Sequence, residues 1–518
     1  MRHVRLPRIV SVSRHVPGSS QYRGGNHQCT EQSAAESETH RPGQSGRVLS
    51  AAEGSWHRRQ CADAPGWHTA ECGGNSTHRR LDHRRRTVIS RWLQRIGLGS
   101  HMTAKVTKVE RFILHVPFVD RVRREMERAG VHSWSELEIS KVETDAGVTG
   151  WGETIQNYTW GRVKNEQRVI GKSPAETMWD DSLGAGLQMA LFDAAGKLAG
   201  VPVYRLLGSK VRDWCAISFW DHDMSPEKYE EEAKVAVSLG YTCIKIKTRP
   251  WFDVRETIDR ISKVTPDHFR IDADWNAFLV NASNAIPLLR ELERTFPKIK
   301  IFEDPIPRHD ASGNHFMRSQ IETAVAHHYG SIGTREGLEM GGVCDGWVIG
   351  GGISKIMQQG HTAAALNMPF FLQMVGAAPT TALSLHLSAV LSAAQWPTIT
   401  CHELYEHSLL TQRMPVIDGH ARVPEEPGLG ISLDPEALEK YRVEKADHSL
   451  PRRLVRVNRP GGSKIYFGNS GQKWTFYSNG NSALDDWGCS TDLLDDDGSA
   501  DFDELHKRAS ESPVITAE

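Results

Sequence analysis

The most regular feature of the chain is a beat of short apolar runs that end in charge. "CIKIKTRPW" (Cys243 to Trp251), "FRIDADWNAF" (Phe269 to Phe278) and "IKIFEDPIP" (Ile299 to Pro307) are each β-branched or aromatic stretches closing on charged residues. About 25 to 30 residues of helix-like pattern separate them, the spacing of successive βα units. Extended in both directions, the beat places strand ends near Trp220, Lys247, Asp272, Glu303, His328, Gly350, Gln373 and Glu403. Helical stretches such as Glu227 to Ser238 and Thr380 to Ala394 follow them. Eight strand ends predict one α/β barrel, and charged residues at the C-terminal ends of its strands read as an active site, because the bodies of barrel strands are filled by packing side chains.

Before the barrel, "KVERFILHVPF" alternates as a strand, and "LEISKVETDAGVTGWGE" reads as two strands joined by a turn at Asp145-Ala146-Gly147. Between them, Val119 to His132 is polar and charged and reads as a solvated connection rather than a cover over the site. "GAGLQMALFDAAGKLAGVPVYRLLG" places Leu187, Leu191, Ala194 and Leu198 at helical spacing, a packed helix. After the barrel, "RRLVRVNRPGGSKIYF" predicts a hairpin around Pro460-Gly461-Gly462. Beyond about Gly471 the acidic, Ser/Asp/Gly-rich "LLDDDGSADFDE" reads as a solvated tail.

Residues 1–101 differ from everything that follows. They hold sixteen arginines and no lysine, many Ser, Gly and His, and no sustained hydrophobic period, so disorder is expected. An over-extended start before Met102, an Arg-rich transit-like segment and an interaction tail all fit this composition. The expected organisation is therefore a disordered extension (1–101), an N-terminal capping domain (102–215), a catalytic barrel (216–403), a C-terminal part of the capping domain (404–470) and an acidic disordered tail (471–518).

Composition narrows the class without choosing it. With 518 residues, 39% of them hydrophobic, and a formal charge of −2, the chain can bury a large core and offers no basic surface to nucleic acid. The cluster "HRRLDHRRR" (His78 to Arg86) lacks the aromatic or fold context such binding needs. There is no run of 18 apolar residues, so no membrane span is expected. The eight cysteines show no paired spacing and fit a reduced, cytoplasmic protein. A homo-oligomer acting on a small-molecule carboxylate is expected, with neither nucleic acid nor membrane as partner.

Two lysines followed on the next strands by carboxylates describe a proton-abstracting base beside a metal site. A proton α to a carboxylate is very weakly acidic. An enzyme must stabilise the enediolate while a positioned base takes that proton. Hard carboxylate oxygens suit magnesium, which keeps open positions for a substrate carboxylate.

Five motifs in order, "GVTGWGE" (Gly147 to Glu153), "ALFDAAGKLAGVPVYRLLG" (Ala190 to Gly208), "KIK" (Lys245 to Lys247), "IFEDPIP" (Ile301 to Pro307) and "VIGGGISK" (Val348 to Lys355), resemble the mandelate racemase and muconate lactonizing enzyme family of the enolase superfamily. The resemblance runs over roughly residues 102–467. It implies a modified (β/α)7β TIM-like barrel, an α+β capping domain built from both ends of the chain, and a divalent metal, usually Mg2+, with Mn2+ or another ion possible. It implies Lys247 as base, with Lys245 lowering its pKa by like-charge repulsion, and Asp272 and Glu303 as metal ligands. Asp274 stands where the family commonly has Asn.

The sequence also departs from the family. In place of the usual third carboxylate ligand stand His327 and His328; alternation selects His328 as the inward one. A neutral imidazole there would widen metal tolerance toward manganese, iron or zinc. The racemase His and Asp of the far strands are replaced by Gln373 and Gly350, which removes the second base. Glu403 matches a substrate-binding carboxylate, and Trp220, His222, Gln373 and Asp274 complete the expected substrate contacts. The expected activity is that of a metal-dependent sugar-acid dehydratase, a lyase. The alternatives are a racemase, epimerase or cycloisomerase of the same family, or a catalytically silent barrel. A hydrolytic zinc barrel would want an HxH on the first strand, which "WDHD" lacks.

Overall fold

The computed structural model describes residues 104–156, 158, 160–330, 341–481 and 487–517. The expected extension 1–101 lies outside them.

Three strands open the fold as an antiparallel meander: β1 (Val106–His115), β2 (Glu136–Thr144) and β3 (Thr149–Ile155). The β2–β3 turn falls at Asp145-Ala146-Gly147, with Gly147 at φ +76°. A later strand, β14 (Arg442–Val443), adds to the outer edge of β1, giving the order β14-β1-β2-β3. Helix α1 (Asp120–Ala129) occupies the segment read as a solvated connection. That reading is corrected: Val122 and Met126 are fully buried and Arg128 nearly so. The helix is amphipathic, and its sparse apolar side points inward, so overall polarity concealed it.

Helix α2 (Ala185–Ala199) is buried along most of its length and lies directly on β3. A Cβ at Gly150 would stand 2.1 Å from Ala190 O, and one at Gly152 2.0 Å from Gly186 O. The glycines of "GVTGWGE" are there to let helix and strand backbones touch. The Glu153 of that motif crosses to the barrel and accepts from Ala377 N (2.5 Å) and Thr380 N (3.3 Å). Burial raises its carboxyl to about 7 against those bonds.

The barrel strands are β4 (Trp214–Trp220), β5 (Cys243–Lys247), β6 (Arg270–Asp274), β7 (Ile299–Glu303), β8 (Ala324–His328), β9 (Gly346–Ile349), β10 (Phe370–Leu372) and β11 (Thr398–Ile399). They pair in parallel from β4 to β10, and β11 closes the ring by pairing with β4 and meeting Gln373 through a bridge at Ile399. Six of the seven connections carry a helix: α3 (Pro226–Ser238), α4 (Val254–Val264), α5 (Ala282–Thr295), α6 (Ala311–Arg318), α7 (Ile353–Ala365) and α8 (Ala378–Val390). The seventh, between β8 and β9, passes through residues 331–340, outside the described set. The eight strands are those of the one barrel the spacing predicts, in the modified (β/α)7β form the resemblance implies. Ends shift by up to a few residues, the largest shift being at β11, which stops at Ile399 and leaves Glu403 in the turn His402–Leu404.

The expectation of an acidic disordered tail at 471–518 is also corrected. Strands β15 (Arg453–Asn458), β16 (Lys464–Phe467), β17 (Ser490–Asp495) and β18 (Val514–Thr516) form a sheet of order β17-β15-β16-β18. Helices α9 (Ser470–Ser478) and α10 (Ala500–Glu511) flank it. β15 and β16 make the expected hairpin around Pro460-Gly461-Gly462. The acidic run that looked like tail is a strand end followed by a helix start. Ser499 caps α10 by accepting from Phe502 N, and Asp501 and Asp503 sit in its first turn, where the helix dipole favours negative charge. The unit has a core of its own, Leu454, Phe502, Ala509 and Val514, and its other face packs Val455, Val457, Ile465, Phe467 and Tyr477 onto Trp251, Phe252 and Phe278 of the barrel loops.

Candidate active site

Register decides which charges meet. Lys245 pairs with Asp272 and Lys247 with Asp274 across β5–β6; Asp274 pairs with Glu303 across β6–β7, and Glu303 with Ala326 across β7–β8. Side chains two apart share a face of a strand, so Lys247, Asp274 and Glu303 form one layer, Lys245 and Asp272 the layer beneath, and His328 stands one step above.

Lys245 reaches up from its layer. Its Nζ bonds Glu303 Oε2 and Gln373 Oε1 (2.6 Å), lies 3.4 Å from Asp274 Oδ2, and is completely buried. Burial works against its charge, but Glu303, Asp274 and Asp272 outweigh that and push its pKa above the ordinary lysine value. Lys247 bonds Asp274 Oδ2 and Asn276 Oδ1 (3.2 Å). Here burial prevails over the pull of Asp274 and, helped by the charges of Lys245 and Arg249, lowers the pKa. Lysines two residues apart are thus driven in opposite directions, one kept as a cation and the other eased toward the free amine. Asp274, buried but surrounded by Lys247, Lys245 and Arg249, is held well below the usual carboxylate range.

The expected metal ligands converge only in part. Glu303 Oε1 and His328 Nε2 are 3.3 Å apart, close to the roughly 3 Å between neighbouring ligand atoms around an ion with bonds of about 2.1 Å. Among the described residues, the three-ligand group within 4.8 Å is Glu303, Asp304 and His328, and Asp272 does not join it. The cause is the register: Asp272 sits a layer down, two residues or about 6.6 Å along the strand. Asp304 is nevertheless the poorer ligand, since Oδ1 accepts from His327 Nδ1 (2.8 Å) and Oδ2 from Arg308 Nε (2.8 Å) and Nη2 (2.5 Å). Burial would raise its pKa, but the His327 bond and the charges of His328 and Arg308 bring it down. By contrast both oxygens of Asp272 and Oε1 of Glu303 are buried without a hydrogen-bond partner. Burial and the Glu303 charge push the Asp272 carboxyl well up. An orphaned Glu303 oxygen beside the His328 imidazole nitrogen, with two more orphaned carboxylate oxygens on Asp272 a layer below, fits the chemistry of a divalent-cation site.

His327 is spent on Asp304 and not on Glu303. Its Nδ1 meets Asp304 and its Nε2 meets Asn314 Oδ1 (2.9 Å), so it serves the strand's outer side as alternation predicts. Gln373 is brought to the site through Lys245. Trp220 and His222 form an aromatic wall with Trp134, at centroid distances of 5.8 Å for Trp134–Trp220 and 5.6 Å for Trp134–His222. Burial, then the charges of Lys247 and Arg249, lower His222 to about 3, so it is a neutral imidazole at ordinary pH.

Glu403 is not brought to the cluster. Its Oε1 is engaged by Arg413 Nη2 (2.5 Å), Tyr241 OH (3.1 Å) and His402 Nε2 (3.3 Å). These partners engage one oxygen of the carboxylate beyond the end of β11.

Sequence reading missed several neighbours. Tyr158, in the loop after β3, stacks on Trp134 at 4.1 Å and leaves 45% of its surface exposed. Desolvation nonetheless pushes its phenol up to about 12, with Asp274, Cys401 and Glu303 adding to the rise and Lys245 opposing it. Asn276 accepts from both Lys247 and Arg249 Nη2 (2.7 Å). The "DADWN" spacing, two past Asp274, was the available signal for it.

Two lysines bonded to buried carboxylates at the C-terminal rim of a barrel describe a site suited to taking protons next to carboxylates. Residues 228–437 match the family model described as enolase C-terminal domain-like. The chain is 24% identical over 351 residues to arabinonate dehydratase of Saccharolobus solfataricus, covering 59% of this chain and 91% of that one. It is 26% identical over 346 residues to D-galactonate dehydratase of Variovorax paradoxus, covering 58% and 89%. Among solved structures, muconate lactonizing enzyme of Pseudomonas fluorescens, complexed with muconolactone, superposes with a TM-score of 0.53 at 20% identity, covering 66% of this chain and 100% of that one. The match over residues 228–437 and these likenesses support the enolase superfamily, of the mandelate racemase and muconate lactonizing enzyme type.

Proposed function

We propose that the protein is a sugar-acid dehydratase in which Lys247 removes the proton α to the substrate carboxylate. The observation that carries this reading is the opposite perturbation of Lys245 and Lys247, which supplies an electrophile and a base from one strand. The relatives named arabinonate, D-xylonate and D-galactonate dehydratase support the substrate class. Asp272, Glu303 and His328 would hold the divalent ion, for which magnesium is proposed, with manganese the alternative an imidazole admits. When bound, that ion supplies positive charge to the substrate carboxylate as it becomes an enediolate.

This chain's own residues do the rest. The α C–H bond breaks toward Lys247 Nζ, and the electron pair moves onto the carboxylate, where the Lys245 ammonium holds it. As the pair returns, the β C–O bond breaks. The hydroxyl leaves as water with a proton from the Lys247 ammonium, while the neutral Tyr158 phenol donates a hydrogen bond to it. The product is an enol that becomes a 2-oxo-3-deoxy acid. Asp274 and Asn276 orient Lys247, and Trp134, Trp220 and His222 exclude water. Two-base racemisation is disfavoured because Gln373 and Gly350 provide no second base.

A panel of pentonic and hexonic acids assayed for 2-oxo acid formation tests this, with and without chelator. Water loss from at least one acid, abolished by chelator and restored by magnesium or manganese, is the expected result. No turnover of any acid by metal-loaded protein would overturn it in favour of a silent barrel. A cytoplasmic setting and a homo-oligomeric state complete the proposal. The five free, buried cysteines of the described residues support the first, and light scattering reads the second. No helix among those residues is long and apolar enough to cross a membrane.

A further inference from the structure

Beside Lys247 lies a second cation that the chemistry above does not use. Arg249 is 1% exposed, and its Nε and Nη1 are buried without a hydrogen-bond partner. Its guanidinium carbon lies 5.0 Å from the Trp474 ring, 5.4 Å from Phe278 and 5.9 Å from Trp251. Trp474 and Phe278 meet edge to face at 4.9 Å. Its one hydrogen bond, from Nη2 to Asn276 Oδ1, shares an acceptor with Lys247 Nζ. Phe278 and Trp251 come from barrel loops, whereas Trp474 comes from α9 of the C-terminal unit.

That unit is bolted in place around the box. Trp251 Nε1 donates to Asp223 Oδ2 (2.9 Å), which faces the buried Lys473 Nζ at 3.4 Å, and Thr491 Oγ1 donates to Trp251 O (2.6 Å). From α1, Arg128 donates to Thr491 O (3.3 Å) and Asp223 O (3.0 Å).

The geometry points to Trp474 as a positioning residue for the active site, closing an aromatic box that fixes Arg249, and through the shared acceptor Asn276 fixes Lys247. A guanidinium with two unpartnered nitrogens among three rings is held by their faces, with the carboxylates of Asp274 and Asp223 acting on its charge from outside the box. With one wall gone it would turn to water or to a carboxylate, and Asn276 Oδ1 would no longer be held between two cations. The C-terminal unit is then part of the catalytic apparatus rather than an appendage. The inference rests on Lys247 being the base.

The test uses the full chain with Trp474→Ala, Trp474→Phe and Arg249→Met, each checked for folding by circular dichroism. Trp474→Ala should lower kcat by about 10- to 10²-fold, as small misplacements of reacting groups do, with KM within about threefold. Trp474→Phe, which keeps a π face, should recover most of it. In the Arg249→Met background, Trp474→Ala should change kcat by less than about twofold, because partners in one network are not additive. Independently of any turnover, the rate of Lys247 reductive methylation, followed by mass spectrometry, should change several-fold in Trp474→Ala and return in Trp474→Phe, with exposed Lys263 unchanged. Additive kcat effects, or a Lys247 methylation rate identical to wild type in Trp474→Ala, would overturn the inference. A changed methylation rate in a protein that dehydrates nothing would leave it standing and fault the proposed reaction instead.

Discussion

On one wall of the barrel mouth, β5 to β8 present Lys245, Lys247, Asp272, Asp274, Glu303 and His328 in adjoining register. On the other, beyond the ends of β9 and β10, stand Gly350 and Gln373, with the Phe371 ring 5.2 Å from Lys245 Nζ. Gly350 has little choice, because a Cβ there would stand 2.8 Å from Gln373 O. In the proposed reaction one wall carries the proton chemistry, and the other offers shape and an amide. Glu403 completes the contrast, its carboxylate spent on Arg413 and Tyr241. A site this lopsided can attack one face of a substrate carbon.

The largest expected effect falls on the charged wall. Lys247→Met should lower kcat by about 10² to 10⁴-fold, with metal content by plasma mass spectrometry unchanged, because the amine is not a ligand. The wild-type pH profile should show activity rising with pH as the Lys247 ammonium loses its proton. Its midpoint should lie below the roughly 10.4 of an ordinary lysine, since burial with Lys245 and Arg249 favours the neutral amine. A midpoint above that value would mean the field of Asp274 prevails. Next, Glu303→Gln should strip the metal and with it activity; retention of one equivalent of metal would point to a site that does not use Glu303. On the other wall, Gln373→Ala should raise KM by a few-fold and leave α-proton exchange intact.

The smallest catalytic effect is expected at Glu403. Glu403→Gln should leave kcat within about threefold and lower the melting temperature by a few degrees at neutral pH. His402 and Arg413 overcome burial and hold this carboxyl at about 2. A depressed folded-state pKa gives stability that is present above the unfolded value of about 4.3 and lost as pH falls through it toward 2. The gap in melting temperature between wild type and variant should therefore narrow across that window. A gap independent of pH would remove the carboxylate's charge from the account.

The sequence made the barrel legible because strand, helix and charge recur with one beat, which set Lys247, Glu303 and His328 at strand ends. Other features depended on distances that no local pattern encodes. Asp272 reads as the natural ligand beside Glu303, yet the pairing of β6 with β7 sets it a layer lower, a fact of register rather than of residue type. Glu403 ends an apolar run and so looked like a strand end, but β11 stops four residues earlier. Tyr158 and Trp474 reach the site from segments about 90 and 230 residues away from Lys247 in sequence, through tertiary packing. The C-terminal unit was hidden by its own capping chemistry, since a helix that begins with Ser499, Asp501 and Asp503 is acidic for the same reason that it is stable.

The one-sided site is tested most directly by offering wild-type protein both α-epimers of the acid it dehydrates, in D2O, and following the α-proton by NMR. The account predicts that only one epimer loses its α-proton, to exchange or to dehydration, while the other stays protonated over the same period. Loss from both epimers at comparable rates would mean that the far wall supplies a second base and that Lys247 does not act alone.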